Sequence, residues 1–119
     1  MSSPPQSDRR RNWWGWGWED QALDDATARK LCAGVAAAFG VDVPLADPPE
    51  LDDLDLPAPR IRPPAALMSL VDDTPYARAS HTFGKSYRDV VRGFRGQLDH
   101  PPDLVARPVS EAQVLALLD

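Results

Sequence analysis

"ASHTFGKSYRDVVRGF", residues 79–94, decides what kind of fold this chain can adopt. Its first half fits the loose nucleotide phosphate-loop pattern: a small residue, four of any kind, then Gly84, Lys85 and Ser86. A working phosphate loop follows a buried strand, because the strand fixes where the loop N–H groups point. The residues ahead of Ala79 are "DDTPYAR", with two acids and a proline, which do not read as a core strand. His81, Thr82 and Phe83 occupy the space where small residues would let the backbone wrap a phosphate. No later apolar strand ends in a magnesium-holding Asp. The stretch therefore reads as a turn and a helix cap. Gly84 frees the backbone, Lys85 is solvated, and Ser86 caps a helix with Asp89 three residues on. Tyr87, Val90, Val91 and Phe94 follow the i, i+3, i+4, i+7 spacing of one buried face, and Gly96 ends the helix.

Other helices extend on both sides. Residues 24–40, "DDATARKLCAGVAAAFG", carry Asp24 or Asp25 as the cap, because a carboxylate there accepts unpaired backbone N–H groups. Leu31, Val35, Ala38 and Phe39 form the apolar face, and Gly40 supplies a left-handed stop. Pro64 starts a short helix, "PAALMSLVDD", with Leu67, Leu70 and Val71 on one side. Residues 104–107 read as a short strand between prolines. Ser110 then caps a last helix with Val114, Leu117 and Leu118 facing inward.

The remaining segments resist regular structure. Residues 1–12 hold Ser, Pro, Gln and three arginines, with almost nothing apolar to bury, and are expected to be a disordered tail. Residues 44–63 are an acidic, proline-rich linker, expected to be extended and solvated. Asp52, Asp53 and Asp55 within it lack the glycine turn and spacing of a calcium loop. Trp13, Trp14, Trp16 and Trp18 crowd into six positions. They read as an arm docked on a protein surface or as an aromatic platform for single-stranded nucleic acid or sugar.

Composition chooses between those two. With 13 basic and 18 acidic residues the formal charge is −5, against the basic face that nucleic-acid binding needs. The docked arm is the expectation, and no nucleic acid is expected as partner. The lone Cys32 can close no internal disulfide and fits a small hydrophobe in a reducing compartment, the cytoplasm. No stretch approaches the ~20 apolar residues of a membrane span. His81 reads as a surface residue in a polar loop. No catalytic triad, zinc spacing or paired catalytic carboxylates can be assembled, so no catalytic, cofactor-binding or metal residues are assigned.

Three motifs in order carry a resemblance: "WGWGWED" near the start, "HTFGKSYRDVVRGFRG", and "HPPDLVARPVSEAQVLALL". Together they resemble the beginning of bacterial flavoproteins similar to alkylglycerone-phosphate synthase, FAD-linked oxidases of the vanillyl-alcohol-oxidase type. The resemblance implies a mainly α fold with irregular proline-rich linkers, leading into the first strand and helix of a truncated α+β FAD-binding (PCMH-type) domain. Residues 13–100 would be the N-terminal helical segment and residues 101–119 the start of the FAD-binding domain. Pro102, Asp103 and Pro108 would flank its first strand, and residues 110–118 would form the helix beneath it. The glycine-rich FAD pyrophosphate loop of such proteins follows that helix and is not among these residues. The resemblance implies FAD as cofactor of a parent enzyme, the rest of that flavoenzyme as partner, and a fragment inactive by itself. An alternative is a small non-enzymatic interaction module that docks through its tryptophan arm.

Overall fold

The computed structural model describes residues 9–119, so most of the segment expected to be a disordered tail lies outside the described residues. Helix α1 (Asp25–Phe39) starts at Asp24, whose carboxylate accepts the Thr27 N–H at 2.8 Å and the Thr27 hydroxyl at 3.0 Å. It stops at Gly40, whose φ of 64° is the left-handed conformation that a Cβ disfavours. Helix α3 (Tyr87–Phe94) opens with the Ser86–Asp89 capping box, and Gly96 follows it at φ 67°. Helix α4 (Glu111–Leu118) is capped by Ser110, which accepts the Gln113 N–H at 3.3 Å.

Two elements differ from expectation. The helix expected from Pro64 is a 3-10 turn, Ala65–Leu70, which passes directly into strand β1 (Val71–Asp72). Strand β2 (Val105–Ala106) lies within the expected run and pairs antiparallel with β1, Val71 opposite Ala106 and Asp72 opposite Val105. The Arg107 N–H donates to the Leu70 carbonyl at 2.8 Å and prolongs the ladder. The second is helix α2 (Pro75–Ser80), which sits where "DDTPYAR" reads as irregular. Thr74 caps it and Pro75 occupies its first turn, where a missing N–H costs nothing.

The core forms around α2. Ala77, Arg78 and Ala79 are buried, and Trp13, Ala79 and Leu98 make the central cluster. Leu51, Leu54 and Leu56 of the acidic linker pack against it, so residues 44–63 form a strap over the core. Its carboxylates Asp52, Asp53 and Asp55 stay exposed while the alternating leucines turn in. Arg78, 5 % exposed, ties the strap down. Its Nε donates to the Pro102 carbonyl at 2.8 Å and a terminal nitrogen to the Pro57 carbonyl at 2.5 Å. Asp103 beside it pairs with Arg60 at 3.2 Å.

Much apolar surface finds no partner within the described residues. Leu31, Val35 and Phe39 of α1 are exposed, Phe39 by 75 %. Leu115 and Leu118 of α4 are exposed as well, and Tyr87, expected on the buried face of α3, is 76 % exposed. The Cα radius of gyration is 18.2 Å, where a compact domain of this length has about 13–14 Å. The architecture is mainly helical with a small two-stranded sheet, built on a thin core beneath open helix faces.

Candidate functional site

The tryptophan segment folds on itself around one side chain. Arg11 and Trp18 form an antiparallel bridge, and the Asn12 N–H donates to the Gly17 carbonyl at 3.0 Å. Inside the loop, Asn12 Oδ1 accepts the Gly15 N–H. A Cβ on Gly15 would lie 3.1 Å from Asn12 Oδ1, and one on Gly17 would lie 3.3 Å from Asn12 Nδ2. The alternation of Trp and Gly thus leaves room for Asn12 to fill the loop.

The loop is fastened to the turn between α2 and α3. Lys85 Nζ donates to the Trp13 carbonyl at 2.8 Å, while the Lys85 carbonyl accepts Trp16 Nε1–H at 2.7 Å. The Tyr76 hydroxyl donates to the Arg11 carbonyl at 2.8 Å. Lys85 is exposed as a residue, but its ammonium is drawn against the loop, and that desolvation pulls its pKa down. Burial pushes the Tyr76 hydroxyl up, with the nearby Glu19 adding to the effect. Lys85 is therefore the fastener of the loop, where a solvated side chain was expected.

The four rings have different fates. Trp13 is 6 % exposed in the core. Trp14 meets Phe94 edge-on with centroids 5.0 Å apart. Its backbone lies close to Gly93, where an added Cβ would come within 3.2 Å of the Trp14 carbonyl oxygen. Trp18 carries the guanidinium groups of Arg9 and Arg11 over its ring, at 4.6 and 4.1 Å. Trp16 remains exposed. Each of the four tryptophan side chains thus contacts the chain itself, Trp16 through its Nε1–H. Arg9 pairs with Asp20 at 2.8 Å and Arg10 with Glu19 at 2.7 Å, so these arginines are held against the loop.

The residues that mimic a phosphate loop are otherwise committed. Ala79 and Ser80 belong to α2, so a helix, not a strand, leads into the turn. The Ser86 hydroxyl donates to Asp89 at 2.8 Å and accepts the Asp89 N–H at 3.3 Å. His81 is exposed, and its Nδ1 lies 2.8 Å from the Ala77 carbonyl. Cys32 is half-buried on α1. Among the described residues no group of three or more His, Cys, Asp or Glu side chains could hold a metal ion, Asp52, Asp53 and Asp55 included.

Two cavities flank the tryptophan loop. The larger, about 730 Å³, is an open apolar groove between Trp13, Trp14, Leu23, Pro48 and Phe94. The smaller, about 350 Å³, lies on the other side, between Arg11, Asn12, Trp16, Tyr76, His81 and Lys85. Sequence reasoning found neither cavity: they share Asn12 and Trp16 of the tryptophan loop, and the smaller is closed by Tyr76 and Ser80 of α2, a helix hidden in an acidic, proline-containing run.

No protein-family profile matches the chain. It is similar to the alkyldihydroxyacetonephosphate synthase of Trypanosoma brucei brucei, 43 % identical over 44 residues, which are 37 % of this chain and 7 % of that protein. The synthase of Dictyostelium discoideum is 46 % identical over 46 residues, 39 % of this chain and 8 % of that protein. Two solved alkyldihydroxyacetonephosphate synthase structures superpose on 90 % of the chain, with TM-scores of 0.68 and 0.67 at 24 % and 23 % identity. The chain spans about a quarter of each of them. It thus resembles alkyldihydroxyacetonephosphate synthase, another name for alkylglycerone-phosphate synthase, in its sequence over a short stretch and in its fold over most of its length.

The described residues do not fit a flavin pyrophosphate. A glycine-rich cradle needs clustered glycines with free N–H groups, and the seven glycines here are dispersed. Gly40 and Gly96 stop helices, Gly15 and Gly17 pack on Asn12, and Gly93 abuts Trp14.

Proposed function

We propose that this chain is the N-terminal portion of an FAD-dependent enzyme resembling alkylglycerone-phosphate synthase, and that it serves as a scaffold inactive without the remainder. The observation that carries the reading is the superposition: nine-tenths of the chain follows a synthase fold of which it makes up only a quarter. The exposed apolar faces of α1 and α4 support it, because a neighbour would remove Leu31, Phe39, Leu115 and Leu118 from water. On this reading β2 and α4 lead into the FAD-binding (PCMH-type) domain, and the flavin is held wholly by residues outside this chain. The remainder of the flavoenzyme is then the partner. The lone Cys32 supports placement in the reducing cytoplasm.

The test is to express this chain joined to whatever the downstream DNA encodes. The expected product is yellow with bound flavin, and its coding frame runs into a Gly-Gly-Gly-Thr-Ser-like stretch just after residue 119. A colourless product, or unrelated sequence beyond that point, overturns the proposal. The 119-residue chain by itself is expected to bind no flavin.

A further inference from the structure

We propose that the smaller cavity, between the tryptophan loop and the C-terminal end of α2, binds a tetrahedral oxyanion, either free phosphate or the head of a small phosphate monoester. The inference does not depend on the flavoenzyme reading.

The residues lining the cavity include Arg11, His81 and Lys85 and no carboxylate. That is a local reversal of charge in a chain of net charge −5. The Arg11 guanidinium is held at the cavity's edge by the Trp16 carbonyl and the Trp18 ring, and the Lys85 ammonium by the Trp13 carbonyl. The neighbouring arginines show what is distinctive here. Arg9 and Arg10 are neutralised by Asp20 and Glu19. Among the described residues neither Arg11 nor Lys85 forms an ion pair. Asp89, whose charge reaches Lys85, is turned to Ser86 and lies 4.0 Å from Arg92.

The unspent hydrogen-bonding groups are mostly donors. Arg11 commits one terminal nitrogen to the Trp16 carbonyl and keeps its remaining N–H groups. Lys85 gives one N–H to the Trp13 carbonyl and keeps the others. Asn12 Oδ1 is taken by Gly15, which leaves Nδ2 as a donor. His81 Nδ1–H faces the Ala77 carbonyl, which in the neutral ring leaves Nε2 an acceptor, so His81 adds no donor of its own. The Tyr76 hydroxyl hydrogen is spent on the Arg11 carbonyl. The spare N–H groups of three side chains, Arg11, Lys85 and Asn12, exceed what the two oxygens of a carboxylate can use, and they suit the oxygens of a phosphate. The same bonds that close the tryptophan loop hold Arg11 and Lys85 in place, so little ordering remains to be done on binding. At about 350 Å³ the cavity has room for the anion and a few further heavy atoms against Trp16.

The experiment titrates inorganic phosphate and methyl phosphate into the full-length protein. Tryptophan emission and the backbone amide shifts of Gly15, His81 and Lys85 are followed, with sodium chloride and sodium acetate at matched ionic strength as comparators. Saturable shifts confined to those amides are expected with phosphate and not with chloride or acetate. Saturation by phosphate alone identifies the free ion, and saturation by both probes identifies a monoester head. Arg11→Gln is expected to raise the phosphate Kd about ten-fold, the loss of one charge-assisted contact, while Arg29→Gln on exposed α1 leaves it unchanged. A non-saturating response, equal binding of acetate, or wild-type shifts spread away from the cavity would overturn the assignment even if Arg11→Gln failed to fold.

Discussion

Lys85 and Trp13 lie 72 residues apart in sequence, yet the lysine ammonium donates to the tryptophan carbonyl at 2.8 Å. Three residues on from Trp13, Trp16 donates its Nε1–H to the Lys85 carbonyl at 2.7 Å. One residue thus both gives and receives a bond from the same loop, which fixes the loop in position and in rotation.

Lys85→Met keeps the length of the side chain and removes its donor. The Trp13 carbonyl loses a charge-assisted bond in a partly hydrated place, so a cost of about 1 kcal/mol is expected. Urea unfolding followed by tryptophan emission, which reports on the loop, should show an earlier midpoint. An unchanged midpoint would mean that the loop is held by Trp16 and Tyr76 alone.

Gly93→Ala reverses the usual sign for a helix glycine. Alanine normally gains up to about 1 kcal/mol in a helix interior. At Gly93, however, the new methyl would meet the Trp14 backbone at 3.2–3.3 Å, and that backbone is pinned by the adjacent Trp13–Lys85 bond and the Trp14–Phe94 contact. Overpacking costs about 1–3 kcal/mol, so a net loss is expected. Gly34→Ala in α1 has open space around the new methyl and should raise helicity measured by circular dichroism. The two substitutions are chemically identical and are expected to act in opposite directions.

Arg78→Lys tests the clasp beneath the strap. A lysine keeps the charge but cannot reach the Pro57 and Pro102 carbonyls together as the planar guanidinium does. One part-buried carbonyl loses its donor, at a cost of about 1 kcal/mol. Protease nicking within residues 44–63 should accelerate as the strap lifts, with cleavage sites read by mass spectrometry.

Acid should loosen the sheet at Asp72. Its carboxylate is held below the ordinary range chiefly by the Thr74 hydroxyl, then by the Thr74 N–H, with Arg107 across the strand pair adding to both. A depressed folded-state pKa means that the stabilisation is fully present above the unfolded value, about 3.9, and is lost as pH falls through the folded value. Asp103, depressed mainly by its bond with Arg60, moves the same way. Carboxyl carbon shifts should place both titrations below the ordinary value, and Asp72→Asn should remove the acid sensitivity of the β1–β2 pairing.

The legible parts of this fold were those written in local chemistry. Asp24, Ser86 with Asp89, Ser110, Gly40 and Gly96 mark helix ends because capping depends on a residue and its near neighbours. Strand β1 was not legible, since two residues become a strand only through their partner β2, over thirty positions away. Thr74 and Pro75 did announce α2, but the acids before them masked a cap followed by a first-turn proline. The linker leucines Leu51, Leu54 and Leu56 were likewise outvoted by the charges and prolines between them. The polar cavity was beyond reach for the same reason: its residues come from two segments about sixty positions apart.

The largest consequence concerns cooperativity. Among the described residues six apolar ones are buried, and none of the large ones is completely enclosed. Ordering each residue costs about 1–2 kcal/mol of backbone entropy, and so thin a core offsets little of that. The 119-residue chain by itself is therefore expected to melt broadly, to bind hydrophobic dyes, and to exchange the amides of α1 and α4 well before those of α3. Joined to a body that covers Leu31, Val35, Phe39 and Leu118, the same helices should exchange together in one cooperative unit. A sharp two-state transition of the chain by itself, with α1 as protected as α3, would show that those exposed faces need no neighbour. It would remove the physical support for reading this chain as part of a larger enzyme.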